Sequence, residues 1–239
     1  MKSKKVWFGL LVLISGNLVG QTRPKSVTLT GKDRFSTELT ITDVYGRPFK
    51  NNYSDVKGSP NFIDDWLSSS VKLANDARAE ELRARLDLVS QELHFRSADN
   101  EDWIFHTQFI KEVEFTDSVT GNHYKFRAGL PAIDNQKENN FYLVLSEGPV
   151  SLLKSIRKII SVNKDDISGE VEKKFETYED YYLFSSNSIR RLKREKDFVV
   201  KVLSDKKADV DAFIKTNPLN FKNVNDILRL VNYYNSLPR

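Results

Sequence analysis

Leu82, Ala84, Leu86 and Leu88 alternate with Arg83, Arg85 and Asp87. A period of two puts the apolar side chains on one side of an extended backbone and the charged ones on the other, the pattern of a half-buried strand rather than of a helix face. The stretch belongs to a segment from Gly58 to Phe95 that opens on the turn Gly58-Ser59-Pro60 and carries Phe62 and Trp66 as aromatic anchors. The main sheet is therefore expected to begin here.

The same rhythm recurs on both sides of this segment. Upstream, Val27 and Leu29 alternate with Thr28 and Thr30, and Leu39 and Ile41 with Thr40 and Thr42; turn residues bound both runs. Downstream, Trp103-Ile104-Phe105 is a short apolar run, and Val113 and Phe115 alternate with Glu112, Glu114 and Thr116. Val119-Thr120-Gly121-Asn122 reads as a hairpin turn into the strand from His123 to Arg127. Residues 129–140, with Pro131 and a polar string, read as a loop, after which Phe141, Leu143 and Leu145 resume the alternation. Residues 149–162 fit both periods; the tight turn Glu147-Gly148-Pro149 and the β-branched content favour a strand paired with 141–147. A charged loop over 163–170 and a last hairpin turning at Ser185-Ser186-Asn187-Ser188 complete the expected sheet.

From Lys196 the spacing changes. Phe198, Val199 and Val202, then Val210, Phe213 and Ile214, recur at helical intervals, with Asn217-Pro218 as a stop. Asn223 is placed to cap a final helix whose apolar stripe is Val224, Ile227, Leu228, Val231 and Tyr234. An exposed stripe of this kind is costly in water, so these helices are expected to pack on the sheet or on each other. The expected fold class is α+β: an antiparallel β-meander, curled or barrel-like, with a short C-terminal helical segment. Residues 21–195 form the β-rich domain in this reading and residues 196–239 the helical segment packed on it.

Residues 1–20 read differently. Lys2, Lys4 and Lys5 precede an apolar run from Val6 to Ile14, and Ser15, Gly16 and Gly20 follow before Gln21. That order is expected of a cleavable signal peptide, and the run is shorter than the roughly 20 apolar residues of a membrane span. Removing its three lysines from the 37 Lys and Arg leaves 34 against 33 Asp and Glu, so the remainder is almost neutral and has no global attraction to nucleic acid. With no cysteine in the chain, disulfides, thiolate metal sites, cysteine nucleophiles and a lipid-modified cysteine are excluded. A hydrophobic share of 39% is enough for the core to hold the fold without staples.

Gly58-Ser59-Pro60-Asn61-Phe62 to Trp66, then Val71-Lys72-Leu73, Tyr181-Tyr182-Leu183, Ile214-Lys215, Asp226-Ile227 and Val231 to Leu237 together resemble a group of uncharacterised exported proteins of Bacteroidota. The resemblance covers most of the chain after residue 20. It implies a cell-envelope location, with the periplasm favoured over the outer-membrane periphery or release, and it implies no activity.

No set of residues names a reaction. His94, His106 and His123 are the only imidazoles, and none has a second histidine at the short spacing of a metal-binding strand or helix. They make an enzyme only if they converge in three dimensions, with Asp87 or Glu92 as a further ligand or partner. Asp64-Asp65 and the acids from Asp99 to Asp102 read as solvated turns, because acid–base catalysis needs two groups in unlike environments. No phosphate-cradling glycine loop, nucleophile elbow or calcium loop is present, and no cofactor or metal is expected. Trp66 and Trp103 are candidates for a sugar- or peptide-binding groove, against the plainer reading of aromatics in a core.

Arg190, Arg191, Lys193, Arg194, Lys196 and Lys201 gather positive charge near Tyr181, Tyr182 and Phe184. Tyr181, Tyr182, Arg190, Arg191, Lys193 and Arg194 are therefore the candidate binding residues, facing an anionic partner such as a lipid headgroup or an acidic glycan, or an envelope protein. The plainer alternative is a solvated helix entry balanced by Glu195 and Asp197. The functional expectation is non-catalytic binding in the cell envelope. The competing class is a hydrolase whose histidine and acidic residues meet only on folding.

Overall fold

A computed structural model of the chain describes residues 26–29, 37–40, 53–96, 102–105, 109–164 and 169–238. The proposed signal peptide, His106 and Asp99 lie outside the described residues. Two short strands, β1 (Ser26–Leu29) and β2 (Thr37–Thr40), pair antiparallel as a separate ribbon.

The alternating segments become one antiparallel sheet of ten strands. In chain order these are β3 (Leu67–Leu73), β4 (Arg78–Asp87), β5 (Glu92–Arg96), β6 (Asp102–Phe105), β7 (Ile110–Thr116), β8 (His123–Arg127), β9 (Tyr142–Ser146), β10 (Ser151–Lys164), β11 (Val171–Ser185) and β12 (Ser188–Arg191). Across the sheet the order is β12-β11-β10-β9-β8-β7-β3-β4-β5-β6. Two meanders are thus joined where β7 returns to pair with β3 instead of β6. Residues 149–162 fall in β10, which pairs with both β9 and β11, so the strand reading of that segment holds. The sheet is open, with β12 and β6 at its two ends, so the expected meander is present without closure into a barrel.

The sheet nevertheless bends over itself. Only residues 106–109 link β6 to β7, although β3, β4 and β5 lie between them in the sheet. A flat sheet at about 4.8 Å per strand would need about 19 Å there, the full stretch of such a link. Hydrogen bonds close the bend elsewhere: the Lys158 amide donates to the Leu88 carbonyl at 2.9 Å, and Gln91 Nε2 donates to the Ile156 carbonyl at 3.2 Å. Gln91 also accepts from the Phe141 amide at 3.1 Å, tying the β4–β5 turn to β9 and β10.

Within β4 the alternation is interrupted. Glu81 has φ of 58° and the pairing with β3 shifts register between Ser69 and Val71, so a bulge brings Ala79 and Ala84, of opposite parity, both into the core. Inside the curl Val71, Leu86, Leu93, Phe115 and Phe126 are buried, and Phe62 meets the Tyr124 and Phe126 rings edge-on at 5.0 Å. Phe62 belongs to a strap, residues 53–62, that crosses from β11 to β4. The Lys57 amide donates to Lys173 of β11, and the Phe62 amide to Leu86 of β4, both at 2.8 Å.

The tail folds as α1 (Lys196–Val202), a 3₁₀ turn (Ser204–Lys206), α2 (Lys207–Thr216) and α3 (Val224–Ser236). Asn223 caps α3 by accepting the Asn225 amide at 3.0 Å. Of the expected stripe Ile227, Val231 and Tyr234 are buried, joined by Leu230, while Leu228 is half-buried. They pack with Val199 and Val210 against Leu152 and Leu183, on one face of β10 and β11. Each fully buried leucine or valine here contributes roughly 1.5–3 kcal/mol. Asn235 fastens α3 to the β9–β10 turn, with Nδ2 donating to the Val150 carbonyl at 2.8 Å and to Ser146 Oγ at 3.1 Å. Gly148 is required there because a Cβ would run into the Asn235 side chain. No helix among the described residues is long and apolar enough to cross a membrane.

Candidate functional site

Tyr181, Tyr182, Arg190 and Arg191 sit on the hairpin of β11 and β12 at one end of the sheet, and Lys193 and Arg194 follow on the link to α1. Ser186 and Asn187 both have positive φ, 48° and 57°, which gives the two-residue turn whose twist matches paired strands. Successive side chains of a strand point to opposite faces, so Tyr181 and Tyr182 are separated by the sheet itself.

On the Tyr182 face the arginines lie against carboxylates. Tyr182 is fully buried with Tyr142, Leu153 and Ile189, meets the Tyr142 ring edge-on at 5.5 Å and donates its hydroxyl to Asp134 Oδ2 at 3.1 Å. Burial, reinforced by the Asp134 carboxylate, pushes its phenol well above the usual tyrosine range. Arg191 pairs with Asp180 and reaches Asp134 at 3.6 Å, and Arg157 lies 3.9 Å from Asp180. These groups line a hollow of about 200 Å³ in which arginines and carboxylates face one another, and Arg157 Nε is buried there without a hydrogen-bond partner.

On the Tyr181 face the cations outnumber their partners. Tyr181 is half-buried, directly across from Lys154, which pairs with Glu179 at 2.6 Å. Arg194 lies over the Tyr181 ring at 5.3 Å from its centroid. Arg190 stands on the same face, across from Leu183, and is exposed. Lys193, Lys196 and Lys201 follow, all exposed on the approach to α1 or on it. Among the described residues none of Arg190, Lys193, Arg194, Lys196 and Lys201 is in an ion pair, whereas Lys125 and Arg127 in mid-sheet share Glu112 and Glu147. The six candidates thus divide into two sets: buried Tyr182 and exposed Arg191 on a face where arginines meet acids, and Tyr181, Arg190, Lys193 and Arg194 around a cationic rim.

The histidines do not converge among the described residues. His94 is buried on β5, with Nε2 at 3.8 Å from Glu92, while His123 is exposed at the start of β8 with Nδ1 at 3.1 Å from Thr116 Oγ1. Among the described residues no group of three or more histidines and acids could hold a metal ion. Asp64 accepts from Ser59 Oγ and, at 3.3 Å, from Asn61 Nδ2, so it organises the strap's turn.

Alternation missed one constellation. Arg85, Asp87 and His94 lie on one face of β4 and β5, where spacing reads Arg85 and Asp87 as the charged side of the strand, yet the strap covers this face and leaves Asp87 and His94 1–2% exposed. With Tyr53, Asn61 and Asp102 they line a pocket of about 340 Å³. Asp87 Oδ1 accepts the amides of Val89 and Ser90 at 2.7 and 3.0 Å. Burial, with the Asp87 and Glu92 carboxylates nearby, pushes the Tyr53 phenol up to about 12. Trp66 belongs to this side, with the guanidinium groups of Arg85 and Arg96 each 4.3 Å from its ring centroid. Trp103 instead packs against the interior cluster, so the two tryptophans do not form a common groove. The signal that could have exposed the pocket is the turn at Gly58-Ser59-Pro60, which aims the strap back over β4.

No protein-family model, curated protein or solved structure matches the chain.

Proposed function

We propose that this is a non-catalytic binding protein of the cell envelope, related to the exported Bacteroidota group. In this reading it is carried to the periplasm by residues 1–20 and holds an anionic partner on the rim formed by β12 and the entry to α1. The observation that carries the reading is the row of cations at Arg190, Lys193, Arg194, Lys196 and Lys201, exposed and without ion pairs among the described residues. An unpaired row of this kind makes a field that an anionic surface or polymer neutralises, at about 1 kcal/mol per cation. The curled sheet acts as a rigid scaffold, and Tyr181 supplies an aromatic body at the centre of the rim.

Sedimentation of the purified protein with vesicles tests this. Binding to phosphatidylglycerol vesicles, absent with phosphatidylcholine, is expected to weaken with salt and to fall about 100-fold when Arg190, Lys193 and Arg194 are all changed to Ala. Competition by polygalacturonate separates an acidic glycan from a headgroup as the preferred partner. Equal binding by the triple variant removes the rim as the site.

The competing hydrolase reading rests on His94, close to Glu92 and Asp87 in a concave pocket. It requires turnover of an ester or glycoside substrate that His94→Gln abolishes. Against it, Asp87 is committed to two turn amides.

A further inference from the structure

The pocket under the strap carries more than its architecture requires. Its floor is the outward face of β4, β5 and β6, contributing Arg85, Asp87, His94 and Asp102; its roof is Tyr53 and Asn61 of the strap. At about 340 Å³ it falls at the lower end of the roughly 300–1,000 Å³ of small-molecule sites.

Arg85 is the informative group. Stacking on Trp66 fixes its guanidinium plane, so the side chain is aimed in advance. Its natural partner is engaged elsewhere: Asp102 Oδ1 accepts from Arg96 Nε at 3.1 Å, while Arg85 stands 3.8 Å from Oδ2, beyond hydrogen-bond reach. Arg85 Nε is buried and has no hydrogen-bond acceptor. A buried donor left in this state costs about 1–3 kcal/mol, and the rest of the guanidinium, on a side chain 21% exposed, lines the pocket within reach of an incoming acceptor.

The chemistry of that acceptor follows from the rest of the wall. Beside the Arg85 donor stand the carboxylates of Asp87 and Asp102, so a ligand must accept at one point and donate close by. Hydroxyl groups do both, and a ring bearing several presents them at neighbouring positions. Around the pocket Arg85, Arg96 and Lys158 stand against Asp87, Glu92 and Asp102, which leaves no surplus charge to neutralise a charged ligand. Tyr53, protonated at neutral pH because its phenol titrates so high, adds an aromatic side chain to the roof.

We propose that this pocket binds a small, uncharged, hydroxyl-rich ligand of the monosaccharide class, with Arg85 as the donor and, as acceptors, the Oδ2 atoms of Asp87 and Asp102, whose Oδ1 atoms are taken by the turn amides and by Arg96. The site is separate from the cationic rim.

Titration of the purified protein with glucose, galactose, mannose and N-acetylglucosamine, read from amide shifts of Arg85 and His94 and the indole signal of Trp66, provides the test. At least one of these sugars is expected to saturate the shifts at millimolar concentration or below, and galacturonate and glucosamine to bind at least about tenfold more weakly than it does. Arg85→Lys, which keeps the charge but loses the fixed fork, weakens binding about tenfold or more. Tyr53→Leu, on the strap and outside the sheet, weakens it too and carries the test should Arg85→Lys fail to fold. The Arg190, Lys193 and Arg194 triple variant keeps full sugar binding, which separates this site from the rim. The proposal is overturned if none of the four neutral sugars saturates, if the charged sugars bind better, or if folded Tyr53→Leu binds as the unaltered protein does.

Discussion

Tyr181 and Tyr182 are consecutive residues of β11, yet the sheet assigns them to different physical worlds. Tyr182 is buried against Tyr142 and hydrogen-bonded to Asp134, and the arginines around it are matched by Asp180 and Asp134. Tyr181 stays half-exposed with Arg194 over its ring, beside cations that have no acid of their own among the described residues. The contrast teaches that charge counted along a sequence is not charge presented to a partner. Arg190 and Arg191 are neighbours too, and only Arg191 is neutralised.

Substitution breaks the comparison most visibly at the buried tyrosine. Tyr182→Ala should lower unfolding free energy by about 3 kcal/mol or more in urea titrations, since it empties a closed aromatic site. Tyr181→Ala should cost less than about 1 kcal/mol. A similar loss at both positions would refute the division of the faces. Asn235→Ala comes next, at about 1–3 kcal/mol, because it strips the β9–β10 turn of its side-chain partner and leaves the Val150 amide and carbonyl to find others. The same denaturation curves measure it.

The neutralised face also has a pH signature. Burial, with Asp134 nearby, pushes the Tyr142 phenol up to about 12. In the unfolded chain a tyrosine titrates near 10, so as pH rises the unfolded state loses this proton first. The contribution is complete below about pH 10 and is lost between about 10 and about 12. Tyr142→Phe should flatten that part of the stability profile. At pH 7 the same change should be within about 0.5 kcal/mol of neutral or slightly stabilising, because the Tyr142 hydroxyl is buried without a hydrogen-bond partner. On the rim, single changes of Arg190, Lys193 or Arg194 to Ala should shift stability by less than about 0.5 kcal/mol, the smallest effect expected.

Much of the fold was legible in the residues because its signals are local. Leu82, Ala84 and Leu86 mark β4, Gly121 and the Ser185–Ser188 turn mark hairpins, and Asn223 marks the start of α3. What the alternation could not convey depends on partners distant in sequence. The return of β7 to β3, the bulge at Glu81 and the bend that brings Gln91 to Ile156 are set by which strands meet, and period-two hydrophobicity is the same for every pairing. The candidate site divides in the same way. The cations from Arg190 to Lys201 could be counted, whereas the second acid of Arg191, beside Asp180 on the neighbouring strand, is Asp134 from a loop nearly sixty residues away. Arg85 and Asp87 read as a charged outward face for the same reason, since Tyr53 and Asn61 cover them from outside the sheet.

Hydrogen exchange of the protein bound to phosphatidylglycerol vesicles tests the division most directly. The account predicts new amide protection across residues 188–201, with no change in the segment around Asp134 that closes the opposite face. Protection centred on Asp134, or spread equally over both faces of β11, would contradict it.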